Sequence, residues 1–267
     1  MSLPDVLARI VATKKLEVAA LEPQRAALAA AALACSRPTR SLLSAILDAP
    51  GLAVISECKK ASPSVGVIEA DYRPAEMAAC YEKAGAAAIS CLTDRDYFQG
   101  CAADLKAVRA AVKIPLLRKD FVIDEVQIDE ARIWGADAFL LIAAILSVEE
   151  MTRFIAHGRR LGLDALVEVH DEAEMRAAAA AGAEIVGVNN RDLRSFQVDL
   201  GLTCRLAPFA PTGAPLVGES GIKTPADARQ LEACGCRAIL VGESLMRQGP
   251  AGCGRLLQEL AGLPAEK

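Results

Sequence analysis

The sequence predicts an α/β chain: a closed parallel barrel of eight strand–helix units behind an N-terminal helical extension. Three observations carry this. First, a glycine separates a helical stretch from a strand at Ala84-Gly85-Ala86, Trp134-Gly135-Ala136, Ala181-Gly182-Ala183 and Cys234-Gly235-Cys236. Glycine suits a helix C-terminus because it enters the left-handed region without a Cβ penalty. The echo recurs about every 50 residues, which matches two strand–helix units rather than one. Second, four further apolar runs interleave with the strands that follow these glycines. Third, the runs are nearly continuous in apolar residues, as in a parallel sheet covered on both faces. No G-x-G-x-x-G follows the first run and no G-x-x-x-x-G-K-[ST] occurs, so an open doubly wound sheet would lack its phosphate element. The four-fold echo favours closure into a (β/α)8, or TIM, barrel.

The chain is read as one domain over 1–267, with the extension at 1–50 and the barrel at 51–267. Residues 3–47 are helical in pattern. Leu7, Ile10, Val11, Leu16 and Leu21 form an apolar stripe that Pro23 interrupts, and an Ala-rich piece at 24–33 follows. Ser36-Arg37-Pro38 reads as a loop and 42–47 as a short helix. The strands fall at 53–58, 88–92, 114–119, 138–142, 165–169, 185–188, 216–219 and 238–241. The helices fall at 74–84, 103–111, 126–134, 149–161, 172–181, 200–206, 225–234 and 252–260. Start signals support several of them: Thr224-Pro225, Ser147 ahead of Glu149 and Glu150, and Asp171 ahead of Glu172.

Composition excludes some functions. A hydrophobic fraction of 53% is ample for a large core, but aromatics at 4% give no stacking platform for single-stranded nucleic acid. A net charge of -4 offers no global attraction to nucleic acid or to an anionic membrane, yet permits a local basic pocket for a small anion. Asp5, Arg9, Lys14, Lys15 and Glu17 interrupt the N-terminus as a signal peptide, and no charge-free run is long enough to span a bilayer. The nine cysteines contain no C-x-x-C; reduced thiols, a cytoplasmic setting and no disulfide framework are expected. Zinc is not expected, since His157 and His170 have no Cys or His at ligand spacing. His170 reads as a loop histidine.

In such a barrel, chemistry collects at the C-terminal ends of the strands. The first strand ends in Glu57 and Lys59, which alternation puts on one face. The loop from Ala61 to Gly66 adds hydroxyls, including Ser62, and backbone N–H groups suited to an anion. The third strand ends in Lys119, the fifth in Glu168, and the sixth in Asn189, Asn190 and Arg191. The seventh gives Glu219-Ser220-Gly221 and the eighth Gly242-Glu243-Ser244. The second and fourth end in Leu92-Thr93 and Ala143-Ala144, with little acid–base capacity. Singly, each polar residue reads as a strand cap. Two lysines and three acids around one mouth, however, are unfavourable unless paired or used. Such crowding shifts pKa values toward acid–base work. Gly221 and Gly242 follow the two strands where this fold often holds a phosphate.

These residues resemble the indole-3-glycerol-phosphate synthase family. The resemblance rests on Glu57-Cys58-Lys59-Lys60-Ala61-Ser62-Pro63-Ser64, Leu92-Thr93-Asp94 with Phe98-Gln99-Gly100, and Leu117-Arg118-Lys119-Asp120-Phe121. It continues in Leu166-Val167-Glu168-Val169-His170, Val188-Asn189-Asn190-Arg191-Asp192-Leu193, Glu219-Ser220-Gly221-Ile222 and Val241-Gly242-Glu243-Ser244-Leu245-Met246-Arg247. Cys58 and Gly218 depart from the pattern at positions without a catalytic role in the family. The resemblance implies a cofactor-independent, metal-free carboxy-lyase of tryptophan biosynthesis that closes the indole ring of 1-(2-carboxyphenylamino)-1-deoxyribulose 5-phosphate. It implies Lys119 as general acid, Lys59 as partner of the substrate carboxylate, and Glu57 and Glu168 as proton-handling groups. Asn189 and Arg191 would orient the substrate, and Glu219 belongs to the same polar ring. Ser62, Ser220, Gly221, Gly242 and Glu243 would hold the phosphate, and Phe121 would flank the aromatic ring. A monomer acting on a small anionic substrate is expected, with room for a partner enzyme of the same pathway.

Two other readings remain at this level. Phosphoribosylanthranilate isomerase would use a cysteine at the first strand, but Cys58 alternates away from Glu57 and Lys59, and the extension is long for it. A non-catalytic phosphate-binding barrel would have no need of Lys59, Lys119 and Glu168 together. The extension is expected to cover part of the active-site face and help exclude water from the anthranilate ring. The competing expectation is a helix plugging the barrel's bottom.

Overall fold

The alternation of apolar strands and capped helices produces eight parallel strands, β1 Ala53–Cys58, β2 Ala88–Leu92, β3 Leu116–Lys119, β4 Ala138–Ile142, β5 Asp164–Val169, β6 Ile185–Asn189, β7 Leu216–Glu219 and β8 Cys236–Val241. In the computed structural model, which describes residues 5–192 and 194–262, they pair in sequence order, and β8 pairs β1 to close the barrel. Residues 1–4 of the predicted extension, 263–267 of the predicted barrel and Leu193 lie outside the described residues.

Three helices precede the barrel: α1 Asp5–Leu21, α2 Arg25–Ala34 and α3 Leu42–Leu47, with a single 3-10 turn at Glu22–Gln24 where Pro23 breaks the first run. Around the barrel follow α4 Pro74–Lys83, α5 Ala102–Ala111, α6 Glu125–Trp134, α7 Val148–Arg160, α8 Glu172–Ala180, α9 Gly201–Leu206, α10 Pro225–Ala233, α11 Glu243–Met246 and α12 Gly249–Ala261. The start signals form as read: Ser147 with Glu150 and Thr224 with Asp227 make capping boxes, and Asp171 accepts from the Glu174 N–H. The four echo glycines, Gly85, Gly135, Gly182 and Gly235, all take positive φ, between 78° and 103°. Elements that were not predicted include the four-residue α11, 3-10 turns at Ala143–Ile145 and Ala207–Phe209, and a two-stranded hairpin of Ala61–Ser62 with Gly66–Val67 that shapes the loop after β1.

Alternation splits the core in two. Ile55, Leu117, Leu140, Leu166, Val217 and Leu240 fill the barrel interior. Val54, Cys58, Ile89, Leu116, Phe139 and Val167 face outward against the helices. Gly218, one departure from the family pattern, leaves the room that Leu231 of α10 occupies; a Cβ there would stand 2.8 Å from its Cδ1.

The extension does two jobs where one was expected. Leu42 and Ile46 of α3 are fully buried in the interior cluster beside Ala53, Ala88, Ala138 and Ala238, at the strand starts, so this helix plugs the bottom. Asp164, the first residue of β5, fixes it by accepting from Ser41 Oγ and Leu43 N, both at 3.0 Å. The two expectations were set against each other, and that is corrected: α1 covers part of the mouth through Val6, Leu7 and Ile10, while α3 is the bottom plug. The physical reason is that the barrel has two open ends and the extension has enough apolar residues for both.

A second correction concerns the cysteines. Cys204 of α9 and Cys234, the C-cap of α10, are joined by a disulfide with their Cα atoms 4.8 Å apart. They stand 30 residues apart with no spacing signature; neighbouring helices of the ring bring them together. The remaining cysteines are free thiols.

What holds α1 over the mouth is a buried charge cluster. Lys14 has a side chain only 2% exposed, and its Nζ lies 2.9 Å from Asp94, 3.0 Å from Asp120 and 2.9 Å from Glu17. Asp120 also accepts from Arg118 at 3.0 Å and from Thr93 at 2.5 Å. Burial acts against its charge, but Arg118 and Lys14 outweigh burial and hold its pKa at about 2. Removing one member strands buried charge. Lys14→Met is expected to destabilise the fold by about 3–5 kcal/mol. The drop in urea midpoint can be followed through Trp134, the only tryptophan, which lies under the Arg118 guanidinium at 4.2 Å. A loss well under about 1 kcal/mol would mean the cluster contributes no more than a surface pair.

Candidate active site

The C-terminal ends of the strands open into a cavity of about 1140 Å³, and every site residue read from the sequence lines it. Alternation explains the set: on each strand these side chains lie two positions beyond an interior apolar one, as Glu57 beyond Ile55, Lys119 beyond Leu117 and Glu168 beyond Leu166. Glu57 and Lys59 meet as predicted, with Nζ 2.7 Å from Oε1. Lys119 lies between two carboxylates from the far side of the barrel, 2.8 Å from Glu168 Oε2 and 2.9 Å from Glu219 Oε2. Asn189 Nδ2 donates to Glu168 Oε1 at 3.0 Å, and Asn189 Oδ1 accepts from the Arg191 N–H at 3.1 Å.

Two glycines make room for these acids. A Cβ at Gly187 would collide with Glu219 Oε1, and one at Gly242 would stand 2.5 Å from Glu57 Oε1. Ser220 and Gly221 both have positive φ, 65° and 81°, unusual for a serine and characteristic of strained functional turns. Glu243 opens α11, and its carboxylate is taken up by Arg247 at 2.8 and 3.0 Å. The acid at this rim is thus already paired with a cation. Ser62 sits in the hairpin across the cavity, its hydroxyl 3.3 Å from that of Ser64. Phe121 faces Phe98, with ring centroids 6.0 Å apart.

Charge counting around Lys119 leaves one carboxylate in excess, and since both are buried, their other partners decide which one gives way. Burial pushes Glu219 up; Lys119 opposes this, and the neighbouring Glu168 adds to it, leaving a pKa of about 7. Its Oε1 is buried without a hydrogen-bond partner. Glu168 is also buried, yet Lys119, His170 and Asn189 outweigh burial and draw it down to about 2. Burial acts to lower Lys119, but Glu168, Glu219 and Glu57 prevail and hold the ammonium charged. The site therefore offers a fixed cation, a fixed anion and a carboxyl that gains or loses a proton near neutrality, the combination that general acid–base work needs.

Sequence reasoning missed several cavity residues. Phe98 stood in a quoted motif without a role, and its aromatic character beside a polar ring was the available signal. Leu7 and Ile10 belong to the apolar stripe of the extension, but the stripe gave no hint of which end it covers, and Val6 was not part of it. His170 lies in the loop after β5, as read, and there it packs between Glu168 and Glu174. Cys58, by contrast, points outward as alternation required, its thiol 3.7 Å from the Pro74 carbonyl and its pKa raised by burial. It cannot serve as the acid–base cysteine of an isomerase.

Known proteins share these features. The model of a family described as indole-3-glycerol phosphate synthase matches residues 7–252. The indole-3-glycerol phosphate synthase of Desulfotalea psychrophila is 49% identical over 249 residues, 93% of this chain and 96% of that protein. Indole-3-glycerol phosphate synthase 2 of Streptomyces coelicolor is 47% identical over 247 residues, covering 92% and 96%. A mandelate oxidase variant superposes with a TM-score of 0.59 at 17% identity, covering 79% of this chain and 72% of that one, a likeness of fold alone.

Carbon NMR of glutamate-labelled protein tests the assigned protonation. One carboxyl should titrate near pH 7 and disappear in Glu219→Gln, while Glu168 stays ionised through the ordinary range around pH 4. A Glu219 signal that titrates with the surface glutamates would contradict the assignment.

Proposed function

From the premise that the chain belongs to the indole-3-glycerol phosphate synthase family, we propose how its residues divide the work of that activity. The reaction is ring closure, decarboxylation and dehydration of 1-(2-carboxyphenylamino)-1-deoxyribulose 5-phosphate to indole-3-glycerol phosphate. The observation that carries the reading is Lys119 Nζ, held between Glu168 and Glu219 within a cavity walled by Phe98 and Phe121.

In closure, a ring carbon of the anthranilate attacks the ribulose carbonyl carbon, and the carbonyl oxygen takes a proton from Lys119. The ammonium is held charged, so it gives up the proton only as that oxygen approaches an alkoxide, a stronger base than an amine. Lys59 pairs with the substrate carboxylate, and Glu57, 2.7 Å from Lys59, keeps that lysine aimed. The carboxylate leaves as carbon dioxide, and its bonding electrons restore the aromatic ring. In dehydration, the new hydroxyl takes a proton from the recharged Lys119 and leaves as water, while Glu168 removes the proton from the carbon beside nitrogen. Glu219 suits the resupply of Lys119, since it alone of the three gains and loses a proton near neutrality. Asn189 and Arg191 orient the substrate.

The phosphate is read at the opposite wall. There Ser62, Ser220, Gly221, Gly242 and Glu243 offer hydroxyls and backbone N–H groups, and the Glu243 carboxylate is neutralised by Arg247. Val6, Leu7 and Ile10 of α1 form an apolar wall that keeps water from the reacting ring. All of these groups come from one chain, which supports a monomer as the working unit. Among the described residues no helix is long and apolar enough to cross a membrane, consistent with a cytoplasmic enzyme on a small substrate.

Indole fluorescence follows the product directly. Lys119→Ala is expected to cut kcat by about 10²–10⁴-fold or more while leaving substrate binding within a few-fold. Full turnover in that variant would remove Lys119 from the mechanism.

A further inference from the structure

His170 is a half-buried titratable group beside the mouth that the mechanism above leaves without a task. It sits two residues beyond Glu168, on the same face of the chain, with a side chain only 14% exposed. Its backbone N–H donates to Glu174 Oε2 at 2.7 Å, and its ring Nδ1 lies 3.2 Å from the same oxygen. Glu174 is fixed in the first turn of α8, where its own N–H donates to Asp171 at 2.9 Å. The ring is thereby oriented, and its other nitrogen, Nε2, stands 3.4 Å from Glu168 Oε1 with no hydrogen-bond partner of its own.

We propose that His170 is a positioning residue for Glu168: held at Nδ1 by Glu174, it turns Nε2 toward Oε1 and, with Lys119 and Asn189, encloses the carboxylate on three sides. Lys119 takes Oε2, Asn189 takes Oε1 from one side, and the imidazole faces Oε1 from the other. A carboxylate so enclosed has one orientation open to it, and its remaining lone pairs point into the cavity.

The charges around the ring favour its protonated form. Glu168 on its own strand, Glu174 on α8, Glu219 on β7 and Asp192 in the loop after β6 all interact with it as anions. Burial acts to strip the proton, but Glu174, Glu168 and Glu219 outweigh burial and raise the ring's pKa above its ordinary value. The imidazolium in turn favours the ionised form of Glu168. Removing it leaves a carboxylate that takes up a proton at higher pH.

The inference rests on the reading of Glu168 as the base, so the experiment reads both turnover and the carboxyl itself. His170→Gln removes the charge, and Glu174→Gln leaves the ring but loosens it. In each variant the acid limb of the kcat–pH profile should move upward, by about one pH unit in His170→Gln and less in Glu174→Gln. The Glu168 carbon resonance should move in the same direction in protein without substrate, and KM should change little. An acid limb and a Glu168 titration both unmoved in either folded variant would overturn the proposal. A Glu168 resonance that moves while the kcat profile stays fixed would instead reject Glu168 as the base, leaving its contact with His170 in place.

Discussion

A single lysine between two carboxylates sets the terms for the rest of this structure. Lys119 alone cannot neutralise both Glu168 and Glu219, and both carboxylates are buried. The excess negative charge must either leave as a proton taken up or be met by another cation. The structure uses both routes, a proton on Glu219 near neutrality and His170 beside Glu168. The barrel is what permits this. Strands from opposite sides each deliver one side chain at the same height, and Gly187 gives up its own side chain so that the Glu219 carboxylate fits.

Such a cluster needs walls, and the extension supplies them at both ends. At the bottom, Leu42 and Ile46 complete the interior core, and Arg37 pairs with the fully buried Asp137 at 2.8 Å. At the mouth, Lys14 ties α1 to Asp94 and Asp120. Those two aspartates are not idle supports. Asp94 accepts from the N–H groups of Tyr97 and Phe98, and Asp120 adjoins Lys119 and accepts from the Phe121 N–H. One buried ammonium thus links the covering helix to both aromatic walls and to the strand carrying the general acid.

Much of this was legible in the sequence because barrel geometry is periodic. Alternation put Glu57 and Lys59 together and turned Cys58 away, and the recurring glycine marked the helix ends from which strand positions followed. What the sequence left open depends on long-range geometry. Nothing local distinguishes an apolar helix bound for the mouth from one bound for the bottom, so the division of labour between α1 and α3 was unreadable. His170 is the loop residue that its place after a strand suggested, but its shielding was not readable. Its burial comes from Glu174, four residues on, and from Glu168, two residues back, and only the start of α8 brings them around one ring. Cys204 and Cys234 sit on or at the end of consecutive helices of the ring, but no cysteine spacing marked them as a pair.

The central claim is that Lys119 and Glu168 work as one unit, and a double-mutant cycle measures this most directly. Ring closure is followed by indole fluorescence under single-turnover conditions in Lys119→Met, Glu168→Gln and the double variant. The account predicts that the double variant is about as slow as the worse single one, because either change already dismantles the pair. Defects that multiply, with the double variant slower by the product of the two single losses, would contradict it.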